Sequence, residues 1–147
     1  HGAVCANTGR ILGNFSFARG HGHVCTNDTG VIIETGPDTV RGIDVTLYDD
    51  ARPFAELDQR YSQRLPALAV EVLSPDARPG KTMRRVAEFL RRGIPLVWIV
   101  DPESRDVTVY RPGKEPYVRS GDEELTGDDV LPDFKCRVSD LFRLPGE

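Results

Sequence analysis

Two acids stand inside otherwise apolar stretches: Asp44 in the segment Arg41 to Asp49, and Glu71 in Ala67 to Leu73. An Asp and a Glu carried on neighbouring strands suit a hard divalent cation, since Mg²⁺ takes oxygen ligands at about 2.0–2.1 Å. Such an ion polarises a phosphodiester and lowers the pKa of a bound water toward neutrality. Directly after the Glu71 segment, residues Arg78 to Arg92 carry six Arg or Lys side chains against a single acid, Glu88. On a helix, Lys81 and Arg85 of this stretch fall one turn apart on the same side, where a cation could stabilise charge developing on a phosphate. Each feature also has an ordinary reading. A strand Asp commonly faces solvent or caps a turn, a strand Glu can sit at an exposed edge, and a basic helix is usually a solvated face whose Arg stems cover apolar surface. Spacing alone favours the ordinary reading.

The elements that must position these side chains follow from periodicity. Val4, Thr8, Ile11, Leu12 and Phe15 recur at helical spacing up to about residue 18, and Arg19-Gly20 ends the segment. Gly22 to Thr26 and Gly30 to Thr35 are two short strand-like stretches separated by Asn27-Asp28, which has hairpin-turn chemistry; Gly36-Pro37-Asp38 is a further turn. In the next strand the alternation places Ile43, Val45 and Leu47 on one face and Asp44, Thr46 and Tyr48 on the other. Residues Ala51 to Leu65 are polar and predict a loop with a helical turn. Ala67 to Leu73 alternates so that Glu71 shares a face with Ala69 and Leu73. The basic helix follows, its apolar stripe drawn from Met83, Val86, Ala87 and Leu90 and its end set by Gly93. Leu96 to Val100 is continuously apolar, as in a strand buried on both faces, which makes strand, helix and strand a βαβ crossover. Arg105 to Arg111 and Pro116 to Arg119 predict a meander, and Val138, Leu141 and Phe142 a short terminal helix.

Length and composition bound the possibilities. At 147 residues the chain fits one domain spanning 1–147, with native residues expected upstream of His1 because the helical pattern is already under way there. The content of 39% hydrophobic and 29% charged residues excludes collagenous, coiled-coil and wholly disordered chains. No apolar run approaches the roughly 20 residues of a membrane span, so no membrane partner is expected. Cys5, Cys25 and Cys136 are far apart with no C-x-x-C and no zinc-site spacing, which suits a reducing cytoplasm. The net charge of −4 argues against a general positive field for coating nucleic acid, and concentrates attention on the one basic segment.

The stretches DTVRGIDVTLYD (Asp38 to Asp49), ALAVEVLSPD (Ala67 to Asp76), RRGIP (Arg91 to Pro95), LVWIVDPESRDVTVYRPG (Leu96 to Gly113) and LTGDDVLPDF (Leu125 to Phe134) together resemble the Uma-two family of endonucleases, members of the restriction-endonuclease-like PD-(D/E)xK superfamily. The resemblance covers nearly the whole chain and rests on the combination of EVLSP, a helix, and the later WIVDP. It implies an α/β fold, a restriction-endonuclease-like mixed central β-sheet flanked by helices. It further implies a Mg-dependent endonuclease, with Mn as a possible substitute, that hydrolyses phosphodiester bonds in DNA as a homodimer. Carried onto this chain, Asp44 matches the Asp of the family's Pro-Asp, Glu71 the acid of the (D/E)xK element, and Val72 the residue lending a backbone carbonyl to the metal. Ile43 stands in place of the usual Pro, and Leu73 occupies the third motif position. Arg85 aligns with a family Lys displaced onto the helix, with Lys81 one turn earlier as the alternative. An Arg stabilises charge but does not readily shuttle a proton. The second reading is therefore a catalytically impaired nucleic-acid- or protein-binding member of the same fold. His21 and His23 read as solvent groups, Trp98 as core, Asp101 as a turn residue, and Ser74 lacks a nucleophile elbow.

Overall fold

A computed structural model describes residues 1–147. Helix α1 (Gly2–Arg19) leads into β1 (His23–Glu34) and β2 (Thr39–Tyr48); a loop with one 3-10 turn (Phe54–Glu56) precedes β3 (Leu68–Val72). Helix α2 (Pro79–Arg92) then connects to β4 (Leu96–Asp101), β5 (Asp106–Tyr110) and β6 (Tyr117–Ser120). A hairpin of β7 (Glu124–Gly127) and β8 (Leu131–Arg137) and a 3-10 turn (Val138–Leu141) complete the chain. Strands β1 to β6 lie in sequence order in one mixed sheet, and β7 with β8 forms a separate two-stranded one. Only β3 and β4 pair in parallel, because only they are joined by a helical crossover; every other neighbouring pair in the sheet is antiparallel.

Alternation in β3 and β4 divides the core. Leu68, Val70, Val72, Leu96, Trp98 and Val100 face α1 and the β7–β8 hairpin, whereas Ala69, Val97 and Ile99 face α2 with Val86 and Phe89. Trp98 is fully buried among the first group, its ring 5.6 Å from that of Phe134, so the core reading of this residue holds. Helix α1 seats Val4, Thr8, Leu12 and Ser16 on the sheet, a four-residue repeat along one stripe. Its end is Gly20 in the left-handed conformation (φ 65°), which glycine adopts without a Cβ clash. Helix α2 buries Val86 and Phe89; Met83 stays 48% exposed and Ala87 is exposed, so the stripe drawn from Met83 and Ala87 is rotated from the true one. The large Phe89 ring, not the small Ala87, takes the core-facing position. No helix is long and apolar enough to cross a membrane.

Two local expectations in the first sheet strands are corrected. Asn27-Asp28 is not a hairpin turn but a bulge within one continuous strand. Against β2, Thr26 pairs with Val45 and Thr29 with Ile43, so three steps on β1 oppose two on β2. Asn27 (φ 64°) and Asp28 (φ 55°) absorb the surplus in the left-handed region, which Asn and Asp enter more easily than other side-chain-bearing residues. The second correction follows from the first. Val45 and Leu47 pack toward α1, but Ile43 packs with Val31, Ala69 and Phe89 on the α2 side, so the strict alternation through Asp44 is broken. Gly42 lies against the bulge: a Cβ there would stand 3.1 Å from both the Cβ and the carbonyl oxygen of Asp28.

Candidate active site

The site lies where β2 and β3 part. Their ladder joins Leu47 to Leu68, Thr46 to Ala69 and Val45 to Val70, and stops there. One step beyond the last pair come Asp44 on β2 and Glu71 on β3, and their carboxyl groups lie close enough to interact. In place of the next ladder bond, the Val72 N–H donates to Asp44 Oδ2 at 2.8 Å. The bulge in β1 lies beside this point, between the pairs Thr26–Val45 and Thr29–Ile43 that flank Asp44. The two acids singled out in the sequence are thus brought together, in a fork between strands.

Two carboxylates facing each other in a half-buried fork repel unless cations or N–H groups meet them. Each carboxylate has such partners. The Arg85 guanidinium, from α2, contacts Glu71 Oε1 and also donates to the Gly42 carbonyl at 2.7 Å. Asp44 Oδ2 accepts from Val72 and lies 3.3 Å from Nε2 of His1, at the start of α1. Burial pushes the Glu71 carboxyl up to about 7 against the pull of Arg85, and the neighbouring Asp44 pushes it further the same way. Glu71 therefore changes charge near neutral pH, which makes it a candidate functional group on physical grounds.

Arg85 reaches Glu71, and Val72 meets Asp44 through its N–H, a contact distinct from the carbonyl ligand that the resemblance implies. Lys81 hydrogen-bonds to neither carboxylate; it projects into the same cleft of about 450 Å³ that Glu71, Ser74, Arg78 and Arg85 line. Beyond it, Arg78, Lys81 and Arg84 form no ion pair with any acid of the chain and share a polar groove with Arg41, Arg85 and Glu88. Glu88 is the groove's one acid and is held by Arg41 through two bonds of 2.9 and 3.0 Å. The free cations leave this rim electropositive.

Sequence reading missed two neighbours of Asp44. His1, at the N-cap of α1, and Cys5, four residues on in its first turn, point the same way, with Sγ 3.7 Å from Nδ1. The i, i+4 spacing of His1 and Cys5 is visible in the sequence, but it is neither a C-x-x-C nor an H-x-x-x-H pattern, the spacings that mark zinc sites. By contrast His21 and His23 pair with Asp49 and Asp50 away from the fork. Asp101 accepts from the Glu103 and Ser104 N–H groups, as a turn residue does.

A mixed sheet flanked by helices, with paired acids where two strands diverge, defines a restriction-endonuclease-like α/β protein. The chain belongs to the Uma2 (Uma-two) family, whose model, described as "Putative restriction endonuclease", matches residues 1–139. Among solved structures it is similar to a protein from Anabaena variabilis described as a "putative nuclease belonging to DUF820". The two superpose with a TM-score of 0.82 over 97% of this chain and 79% of that one, at 19% identity. No curated protein matches the sequence.

Proposed function

We propose that this protein is a Mg²⁺-dependent endonuclease, with Mn²⁺ as a substitute, hydrolysing phosphodiester bonds in DNA. The observation that carries the proposal is the juxtaposition of Asp44 and Glu71 at the parted end of β2 and β3, with a cationic side chain already drawn onto Glu71. The donor set fits a hard divalent ion: two carboxylates, with the Val72 backbone carbonyl as a third oxygen at the same place in the chain. When bound, the ion would polarise the phosphate and make hydroxide available from water. Lys81, Arg78 and Arg84 would hold the phosphate backbone along the groove, and Arg85 would balance the charge that builds on the reacting phosphate. Glu71, titrating near 7, holds a proton in competition with the ion, so ion capture strengthens as the pH rises through neutrality. With one site per chain, cutting both strands of a duplex takes two copies, so a homodimer is part of the proposal.

Arg85 supports a second reading, in which the protein binds nucleic acid or a protein partner without cleaving. Its guanidinium is tied to both Glu71 and the Gly42 carbonyl, and a guanidinium is poorly suited to shuttling a proton. One assay separates the two. Plasmid and linear DNA are incubated with Mg²⁺ or Mn²⁺ and the parent protein, Asp44→Ala or Glu71→Ala. Cleavage by the parent that both substitutions abolish supports the nuclease; binding without cleavage supports the second reading; cleavage by both variants sinks the site assignment.

A further inference from the structure

On the other side of Asp44, away from Glu71 and α2, lies a shallow depression lined by His1, Cys5, Ala6, Thr26, Asp28 and Asp44. One ring nitrogen of His1, the Cys5 sulfur and an Asp44 carboxylate oxygen lie within 4.8 Å of one another. From the geometry of this trio we infer a second metal site that takes a borderline-soft divalent ion of the Zn²⁺ or Co²⁺ type, with Asp44 shared between it and the Asp44–Glu71 fork. The proposal does not rest on nuclease activity, because it uses neither Glu71 nor the basic helix.

The donor set decides the ion. A thiolate and an imidazole favour Zn²⁺ or Co²⁺ over Mg²⁺, which prefers oxygen. Bond lengths of about 2.0 Å to nitrogen or oxygen and about 2.3 Å to sulfur give a tetrahedron whose edges are roughly 3.3 to 3.5 Å. The His1–Asp44 contact is 3.3 Å and the His1–Cys5 contact 3.7 Å. These two contacts use opposite edges of the imidazole, so the ring must turn to aim one nitrogen between sulfur and carboxylate. The His1 side chain, 42% exposed, has room to do so. Three protein ligands leave a fourth position open to solvent, as in zinc sites that bind an exchangeable water. Helix α1 fixes the His1 and Cys5 backbones one turn apart, and the Val72 N–H fixes Asp44, so two rigid elements present the ligands.

The electrostatics are consistent. The ion's two positive charges are met by the Cys5 thiolate and Asp44, with Asp28 and Glu71 adding negative field at Cys5. Binding forms a sulfur–metal bond and breaks the S–H bond of Cys5, whose proton goes to solvent; no oxidation state changes. Burial and Asp44 hold the thiol proton more tightly than usual, so occupancy increases with pH.

Co²⁺ reports the site directly, because thiolate ligation produces a near-ultraviolet charge-transfer absorption that oxygen ligation does not. Adding Co²⁺ to the chelator-treated full chain should develop this band and saturate at one equivalent, and Zn²⁺ should bleach it. The band should survive in Cys25→Ser/Cys136→Ser and in Glu71→Gln, and vanish in Cys5→Ser. Replacing the exposed His1 (His1→Gln) should weaken Co²⁺ binding by about tenfold or more, on the scale that outer ligand partners alone reach. Absence of the band in the parent protein overturns the site, as does its persistence in Cys5→Ser or an unchanged Co²⁺ affinity in His1→Gln. Loss of the band in Glu71→Gln would overturn the independence of the site from the fork, because it would make Glu71 part of the thiolate-bound centre.

Discussion

The charge state of Glu71 gives the most demanding prediction. Its carboxyl goes from an ordinary 4.5 to about 7 in the folded chain. A carboxyl raised on folding binds its proton more tightly in the native state, so its favourable contribution is complete below about pH 4.5 and is lost as the pH rises through 7. A shift of that size corresponds to about 3 kcal/mol at 1.36 kcal/mol per pH unit. The Glu71 side chain is 15% exposed, so solvent screening reduces this only modestly. For a protein of this size about 3 kcal/mol amounts to roughly 6–12 °C in Tm. The perturbation is Glu71→Gln, which keeps the shape and removes the titration. Both proteins are unfolded by heat or urea in chelator, at fixed ionic strength, from pH 5 to pH 8. Groups that titrate alike in both cancel, so the stability difference isolates Glu71. The glutamine variant should gain on the parent across the window by up to about 3 kcal/mol. A flat difference refutes the reasoning. A difference of opposite sign shows that the Arg85 ion pair outweighs burial and Asp44 together.

Three further outcomes follow from the same geometry. Arg85→Lys keeps a cation beside Glu71 and should preserve or raise cleavage; a fall of more than about tenfold in kcat, or 1.4 kcal/mol of barrier, points to a contact only the planar guanidinium makes. Lys81→Ala should weaken DNA binding alike for all sequences and lower the slope of log affinity against log salt by about 1, as loss of one phosphate contact does. An unchanged slope removes Lys81 from the interface. Gly42→Ala forces a methyl into the 3.1 Å gap against Asp28 and should destabilise the fold by about 1–3 kcal/mol in urea unfolding. Unaltered stability means the bulge yields more readily than the packing implies.

Much of this arrangement was written in periodicity and some of it could not be. The continuous apolar run Leu96 to Val100 and the helix before it imposed the parallel β3–β4 pair, and alternation put Glu71 on the Ala69 face, where it is found. Asp44 followed a different course. Its juxtaposition with Glu71 depends on the register of two strands separated by a long loop, which local pattern does not encode. The break in alternation at Ile43 arises from a bulge on the neighbouring strand, outside the window any count along β2 can see. In α2 the arginines and the helix limits were legible, but the buried stripe runs through Val86 and Phe89, an i, i+3 pair that shares one face, whereas Ala87 points to another side of the helix. The His1–Cys5 pair lay in plain spacing and became meaningful only when α1 was seen to start beside Asp44.

The Val72 amide bonded to Asp44 ties the orientation of a site residue to the cohesion of the sheet. A side-chain oxygen has replaced a backbone rung, so the packing of β3 alone aims the aspartate. Loosening that one bond unzips a strand end and releases the Asp44 carboxylate from its orientation in the same motion.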